Sequence, residues 1–374
     1  MVDTEGGCRL WSGTGGQGQH LMITEASSTH PPDGIARRAA RALGLLLIGL
    51  LMLGVSGWGV LALHYWDHAS PALRDALAAA WALASLAFIV GFSLRRWRWR
   101  SLATFAGLFT LLLAAWSSIA PSNDREWEPD NAVLAYADID GERLTLHNIR
   151  NFNYRTASDF TPLYYDRSFD LRQLDTVDMF TVYWMGPAIA HVFLSFGFTD
   201  GAHVAFSIET RREKGQAYSS LAGFFRQYTL YYAVGDERDI VRVRTNYRHD
   251  PTEQVYLYRL RGSEAGAKRL LLAYLREINA LKQHAEWYNT LISNCTNSIW
   301  FLTRLNPGHV PYSWKVLVSG YLPEYLYQQG KLDTSVPFAE LQRRAYINPL
   351  AQAADQAADF SQRIRSGQSG SGFQ

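Results

Sequence analysis

Three long apolar runs occupy the first third of the sequence, at about 42–66, 76–94 and 101–120. Each is close to the roughly 20 residues that an α-helix needs to cross a bilayer, so the pattern predicts three transmembrane helices within residues 36–120. A cleaved signal sequence has a shorter apolar run than the first of these and is not followed by two more.

Arginines mark the ends of the apolar runs. Arg37, Arg38 and Arg41 precede the first run, and Arg95, Arg96, Arg98 and Arg100 separate the second from the third. Because excess arginine stays on the cytoplasmic side of a membrane, the N-terminus and the 95–100 loop are predicted in the cytoplasm. The short loop with Asp67 and His68 and all residues after Ala120 are then expected outside it.

Both ends of the chain differ from these runs in composition. Residues 1–35, which include Cys8, are rich in Gly, Ser, Thr and Gln and show no apolar period, which predicts a disordered cytoplasmic tail. Residues 351–374 end in a Gly- and Ser-rich segment and are expected to form a polar C-terminal tail. The folded extracytoplasmic domain is therefore predicted at 121–350.

Residues 121–350 combine short apolar alternations with helical spacing, which predicts an α+β domain with an antiparallel sheet. Strands are expected at 144–150, 178–184, 190–198, 203–209, 230–234, 240–245 and 255–260. At 241–244 valine alternates with arginine, which predicts a sheet with one solvent-facing side and places Arg242 and Arg244 at a salt-bridged sheet edge. The Thr-Asp-Gly sequence at 199–201 predicts a hairpin turn between two of these strands. Helices are expected at 219–228, at 264–284 and after Cys295.

The overall composition narrows the classes of function. The net charge is +2, and the arginines are scattered or lie beside apolar runs, so nothing indicates a nucleic-acid partner. The ten histidines are dispersed and there is no Cys-x-x-Cys, so neither a metal site nor a cofactor is predicted. The two cysteines are too far apart in sequence to predict a disulfide framework, and Cys295 is expected to be a free thiol.

Cys295 is the candidate nucleophile. Small polar residues precede it, and the apolar run 299–302 follows, a pattern typical of a helix start. With Ser293 or Asn294 as the N-cap, Cys295 falls in the first turn, where free N–H groups and the helix dipole favour a thiolate. A buried packing role is equally compatible with the local sequence, because cysteine is among the most often buried residues.

His191 is the candidate base. It begins a predicted strand whose hairpin neighbour carries His203, Ser207 and Glu209. If the 199–201 turn pairs the strands, Glu209 lies opposite His191 and orients its ring toward the thiol. The alternatives are a partly exposed histidine at a strand start and a solvated charge run from Glu209 onward.

These residues lie in a stretch, about 127–305, that resembles the bacterial Lnb N-terminal periplasmic domain family. The segments that carry the resemblance are 147–152, 190–198, 207–211, 228–248, 288–289 and 294–296. The resemblance implies a circularly permuted relative of papain-like NlpC and lecithin retinol acyltransferase enzymes, in which a strand histidine precedes a helix cysteine. The pair Asn294-Cys295 is similar to the Asn-Cys pair of the retinol acyltransferase group.

The resemblance implies a cysteine acyltransferase or hydrolase. His191 would deprotonate Cys295, a thioester acyl-enzyme would form, and Glu209 or alternatively His203 would orient the histidine. The implied partners are the membrane bilayer and a lipid or lipoprotein acyl substrate, and the implied location is the bacterial inner membrane with a periplasmic C-terminal domain. The namesake enzymes carry further membrane spans after the domain, whereas no span is predicted after Ala120 in this sequence. The resemblance therefore implies the family more firmly than it implies lipoprotein acyl transfer. A peptidoglycan-type amidase or peptidase and a non-catalytic envelope scaffold remain as alternatives.

Overall fold

The computed structural model describes residues 33–66, 70–367 and 373. Cys8, most of the predicted N-terminal tail and the loop residues Asp67 and His68 therefore lie outside the described part. The chain divides into two compact units at Gly54, inside the first helix.

Three helices begin the described chain, and each is long and apolar enough to cross a membrane. They are α1 (Asp33–His64), α2 (Pro71–Ser93) and α3 (Arg98–Ser117). Ser70 caps α2 through a hydrogen bond from the Leu73 N–H, and Pro71 follows in the first turn, where its missing N–H costs nothing. The three predicted apolar helices are thus present.

The remainder of the chain folds around an eight-stranded sheet, which confirms the predicted α+β class. The strands are β1 (Tyr136–Asp140), β2 (Arg143–Arg150), β5 (Tyr164–Asp170), β6 (Leu174–Tyr183), β7 (Ala190–Phe198), β8 (His203–Arg211), β9 (Thr229–Gly235) and β10 (Gln254–Arg259). Their order is β1-β2-β9-β8-β7-β6-β10, with β5 beside β2. A separate two-stranded hairpin is formed by β3 (Asn153–Tyr154) and β4 (Phe160–Thr161).

Helices of 4 to 20 residues follow or interrupt these strands. They are α4 (Glu237–Ile240), α5 (Glu264–Gln283), α6 (Cys295–Thr303), α7 (Trp314–Leu317), α8 (Leu322–Gln328), α9 (Phe338–Ala345), α10 (Asn348–Ala353) and α11 (Phe360–Arg363). The predicted helix at 264–284 is confirmed as α5, whose Ser263 N-cap accepts from the Gly266 N–H.

The two faces of the sheet are both buried. One face packs against α5 and α6 with Leu194, Phe196 and Tyr274 in the main core. The other face carries Phe180 and Phe193, whose stacked rings lie 4.8 Å apart between centroids, and it is covered by α4, α10 and α11. His191, Ser207 and Glu209 therefore belong to central strands of a three-layer domain, and Cys295 belongs to a helix that covers one face of the sheet.

The hairpin prediction is confirmed. β7 and β8 are antiparallel neighbours with Gly197 opposite His203 and Leu194 opposite Phe206. Gly201 makes the turn possible because its φ of 82° lies in the left-handed region that favours glycine.

The strand predicted at 240–245 is wrong. The segment is helical, with α4 followed by a π-helical turn, Val243–Tyr247. The alternation of valine and arginine suggested one wet face, but Arg242 and Arg244 are buried and meet acceptors on distant segments, Asp355 and Glu209. Paired arginines do not mark a solvent-facing side. The helix predicted at 219–228 is also reduced to a single 3-10 turn, Ala222–Phe224.

Residues 351–367 differ from the polar tail expected there. Phe360 and Ile364 are fully buried in the second core. Arg365 donates to Asp178 (2.9 Å) and to Glu237 (2.7 Å), both of which are buried. The composition of this segment is mostly hydrophilic, but it includes a few apolar side chains that are buried and one arginine that neutralises two buried carboxylates.

Asp239 joins α4 to the end of β2. Its carboxylate accepts from Arg150 (2.8 and 3.1 Å), from the Phe152 N–H (2.7 Å) and from the Tyr154 hydroxyl (2.8 Å). The carboxylate is fully buried, so its loss leaves Arg150 as an uncompensated buried charge.

Asp239→Ala is expected to lower the free energy of unfolding by about 3–5 kcal/mol, measured by urea titration of the detergent-solubilised protein. The matched control is Asp159→Ala, which removes the solvent-exposed ion pair with Arg155 and is expected to leave the midpoint unchanged. Equal midpoints for the two variants would contradict a structural role for Asp239.

Candidate active site

Cys295 is the first residue of α6, and Asn294 is its N-cap. Asn294 Oδ1 accepts from the Asn297 N–H (2.8 Å), and Asn294 Nδ2 donates to the Thr290 carbonyl (2.9 Å). The side-chain amide of Asn294 thus forms hydrogen bonds through both its oxygen and its nitrogen at the start of α6. The Cys295 thiol lies in the first turn, where backbone N–H groups are not consumed by the helix itself.

His191, Ser207 and Glu209 come together where two strands separate. The pairing of β7 with β8 ends at Leu194 and Phe206, although both strands continue beyond these residues. In the opened region His191 Nε2 lies 2.7 Å from Ser207 Oγ, and Ser207 Oγ lies 2.7 Å from Glu209 Oε1. Arg244 Nη2 donates to the same Glu209 oxygen at 2.8 Å.

These contacts determine which atom is the donor and which is the acceptor in each hydrogen bond. Arg244 keeps Glu209 ionised, so the carboxylate accepts, and the single hydroxyl proton of Ser207 is donated to it. Ser207 must then accept from His191, which places the imidazole proton on Nε2. The Nδ1 lone pair of His191 is left free to act as a base.

The ionisation of Glu209 follows from its neighbours. Burial has the largest single effect and raises the pKa of this carboxyl, but the lowering effects of Arg244, His191, Arg248 and Arg150 together outweigh it. The net result is a pKa well below its ordinary range. Glu209 therefore remains a carboxylate at neutral pH and holds the Ser207 hydroxyl in one orientation.

His191 is held in its neutral form. Burial and the nearby charge of Arg244 lower the pKa of its ring to about 3, against a smaller opposing effect of Glu209. Direct contact with Glu209 is weak, since the closest distance between Nε2 and Oε1 is 3.8 Å. At neutral pH the ring is thus an uncharged base.

Cys295 is a thiol in the resting site. Burial raises the pKa of Cys295, and the backbone N–H groups of Val192 and Thr296 only partly offset this. Thr296 Oγ1 lies 3.7 Å from Sγ. The hydrogen bonds of the described residues include none between Cys295 and His191, although both side chains line one cavity of about 320 Å³. Such contacts in free enzymes often form only with substrate.

His203, the alternative third residue, is not at this site. It lies at the start of β8 opposite Gly197, and its Nδ1 contacts the Gly201 carbonyl at 3.1 Å. His191 is six residues from Gly197 along β7, which is roughly 20 Å in a strand. Asn294 is beside the site, but its side chain caps α6.

Arg244 is the site residue that the sequence did not reveal. It binds Glu209 and also approaches Glu253, which Arg248 contacts at 3.0 Å. The prediction of a strand at 240–245 assigned these arginines to a salt-bridged sheet edge. The signal that was available is the acidic start of α4, with Glu237 and Asp239 in the first turn, a pattern typical of a helix N-terminus.

A second cavity, of about 230 Å³, is lined in part by Thr296. Its wall is mostly apolar and includes Leu194 on β7, Leu270 on α5 and Ile299 on α6. Thr296 lines this cavity while its hydroxyl faces Sγ. Among the described residues, no group of three His, Cys, Asp or Glu side chains is arranged to hold a metal ion.

The fold and this site define a class of protein: an α+β domain attached to membrane-type helices, with a thiol and a neutral imidazole in one cavity. Residues 161–320 match the model of the Lnb N-terminal periplasmic domain family. This match confirms the family that the sequence predicts for these residues, and all the site residues named above lie within it. Searches of curated proteins and of solved structures found no significant match. Three apolar helices and a periplasmic domain fit a membrane-anchored protein of the cell envelope.

Ser207→Ala is expected to lower kcat by about 10- to 150-fold with little change in KM. The fold-change corresponds to about 1.5–3 kcal/mol, the range for a hydrogen bond to a charged group. Ser207 is a positioning residue, so the loss would come from a misdirected His191 ring and not from weaker binding. The measurement is steady-state hydrolysis of an acyl ester, the activity proposed below for this site.

The matched control is Ser195→Ala. Ser195 is equally buried, lies on the adjacent strand and donates to another glutamate, Glu237, at 2.6 Å. This variant is expected to keep its kcat. A similar loss in both variants would show that Ser207 acts through stability alone.

Proposed function

We propose that the protein is a cysteine-dependent acyltransferase or hydrolase of the bacterial inner membrane, with Cys295 as nucleophile and an ester-linked acyl group of a lipid or lipoprotein as substrate. The single observation that carries the proposal is the hydrogen-bonded chain Arg244, Glu209, Ser207 and His191, which ends in the cavity of the Cys295 thiol. A carboxylate that fixes a hydroxyl, which in turn fixes a histidine, orients that histidine as a base toward a nucleophile.

The proposed reaction has two steps. In the first, His191 Nδ1 takes the Cys295 proton, sulfur attacks the acyl carbonyl, the ester C–O bond breaks, and the departing alkoxide receives the proton as an alcohol. In the second, an amine or water attacks the thioester carbonyl and gives its proton to His191. The C–S bond breaks, and the thiolate takes the proton back from the imidazolium.

Electrostatics in the resting site support a general-base mechanism. Both groups are uncharged before substrate binds, because burial raises the pKa of Cys295 and lowers that of His191. Ion-pair formation is therefore coupled to attack on the substrate. The Glu209 carboxylate, which remains ionised, stabilises the imidazolium through Ser207 at that moment.

The apolar cavity beside Thr296 supports an acyl substrate over a cell-wall peptide. A dry cavity of about 150 Å³ already binds an apolar molecule such as benzene. The cavity here is larger, at about 230 Å³, and it is lined by Thr296, whose Oγ1 lies 3.7 Å from the sulfur. Methylene groups next to the thioester carbonyl would be buried there.

The test is incubation of the detergent-solubilised full chain with a long-chain acyl p-nitrophenyl ester, followed by mass spectrometry of the peptide that contains Cys295. The expected result is a mass increase of one acyl group, removable by neutral hydroxylamine, on Cys295 and not on Cys8. A chain that releases no p-nitrophenol and carries no acyl group would contradict the proposal. Preferential cleavage of a cell-wall peptide amide would favour the amidase alternative.

A further inference from the structure

We propose that the loop before Cys295 and the 3-10 turn at 222–224 form a bilayer-contacting surface, so that the nucleophile lies at the lipid interface. The surface consists of Leu221, Phe224, Leu291 and Ile292, which are 46%, 37%, 49% and 62% exposed. We call these four residues the apolar rim. The contact of the apolar rim with the bilayer does not depend on the proposed reaction. Only the role of the rim in presenting substrate rests on that reaction.

The rim is fixed to the ends of the apolar helices. Arg226 Nη1 donates to the carbonyls of Trp116, Ser117 and Ile119 at 2.9–3.0 Å, and its guanidinium lies 4.1 Å from the Trp116 ring. Trp116 and Ser117 belong to the last turn of α3, and Ile119 follows it two residues later. Arg226 adopts a φ of 55° to reach them, a conformation that non-glycine residues rarely hold.

A second contact involves the end of α1. The ring of Phe225 stacks on Tyr65, one residue after α1, with centroids 5.5 Å apart, and Gln227 donates to the Tyr65 carbonyl at 2.5 Å. Trp287 Nε1 donates to the Ile119 carbonyl at 3.2 Å. Residues 225–227 are therefore held at the height where two apolar helices end, and Leu221 and Phe224 precede them directly.

The cysteine loop is bound to the same turn. Thr290 Oγ1 donates to the Ser220 carbonyl at 2.8 Å, and the Thr290 N–H to the Gly223 carbonyl at 3.4 Å. Leu291 and Ile292 follow Thr290, and Cys295 is three residues further. The exposed apolar side chains of both segments thus belong to one surface beside the candidate nucleophile.

The sequence of the two segments fits lipid contact. Residues 216–225 and 288–303 contain no Asp, Glu, Lys, Arg or His, whereas 19% of the chain is charged, so these 26 residues would carry about five charges at the average rate. Inserting this surface into the headgroup region would bury no charge of its own. Tyr218, 51% exposed, adds an aromatic side chain of the type enriched at membrane interfaces.

The test is spin-label accessibility in nanodiscs of phosphatidylethanolamine and phosphatidylglycerol. A nitroxide is placed at Ile292→Cys in a Cys8→Ser, Cys295→Ala background of the full chain. The matched control is Leu163→Cys, which is 51% exposed and lies between β4 and β5. We expect the label at 292 to be relaxed more by oxygen and less by a water-soluble nickel complex than the label at 163. Equal accessibility would overturn the proposal.

The accessibility result does not depend on the reaction, because the background lacks the thiol. A second measurement therefore concerns presentation of substrate: Ile292→Asp should lower hydrolysis of an acyl ester embedded in vesicles by about tenfold and leave a soluble short-chain ester unaffected. Equal losses with both substrates would refute the presentation role. No hydrolysis by the unmodified chain, together with lipid-exposed labels, would refute the proposed reaction and leave the bilayer contact in place.

Discussion

Replacing Cys295 by alanine is expected to abolish the acyl-enzyme and to lower turnover of an acyl ester by about 10³-fold or more, since the nucleophile itself is removed. Cys295→Ser should be nearly as inactive. The serine hydroxyl has a much higher pKa than the thiol, and a neutral imidazole with a depressed pKa is a weak base for it. The measurement is single-turnover release of p-nitrophenol together with the mass of the Cys295 peptide.

A matched control lies on the same helix. Ser298→Ala removes a small polar side chain one turn further along α6, outside the candidate cavity, and is expected to keep full activity. Circular dichroism should show the same helix content for all three variants. Activity that survives in Cys295→Ala would mean that another group performs the reaction, and it would remove the basis for a thioester.

His191→Gln should lower kcat by about 10²- to 10⁴-fold, the range for loss of a general base. The pH dependence gives the sharper result. The pKa of His191 is lowered to about 3 by burial and by Arg244, so the ring is already the free base at every pH above about 4. The unmodified chain is therefore expected to show a flat rate between pH 5 and 8, without an inflection near the ordinary histidine pKa.

The variant should behave differently because it must use the pre-formed thiolate. Burial raises the pKa of Cys295 above its ordinary value of 9.0, so the thiolate fraction is small and rises tenfold with each pH unit below that pKa. The residual rate of His191→Gln is expected to rise with this slope between pH 6 and 8. The same flat profile in both proteins would rule out His191 as the base.

The elements that depend on local sequence were predicted correctly. Helix α5, the hairpin of β7 and β8 and the three apolar helices each depend on neighbours within a few residues or on a single apolar run. The same holds for His191 and Glu209, since the short turn after Phe198 brings β7 and β8 side by side and places both residues at the same end of the hairpin. Segments whose environment depends on distant partners were predicted less well.

The errors have one physical origin. Arg244 and Arg365 were expected near solvent because arginine is costly to bury alone. Each is buried with carboxylates that lie far away in sequence, Glu209 for the first and Asp178 and Glu237 for the second. A sequence pattern records the charge but not the partner that neutralises it. For this reason the helical segment at 240–245 was predicted as a strand with a solvent-facing side, and the packed residues 351–367 were predicted as a polar tail.

The sequence by itself determined that three apolar helices precede an α+β domain of a recognisable family, and it singled out Cys295 and His191. The tertiary structure alone decided that Ser207 lies between His191 and Glu209 and that Arg244 holds the carboxylate ionised. It also decided that the loop before Cys295 lies beside the ends of the apolar helices. Local patterns follow from the periodicity of the chain, whereas these contacts join segments between 16 and 168 residues apart, and only packing brings them together.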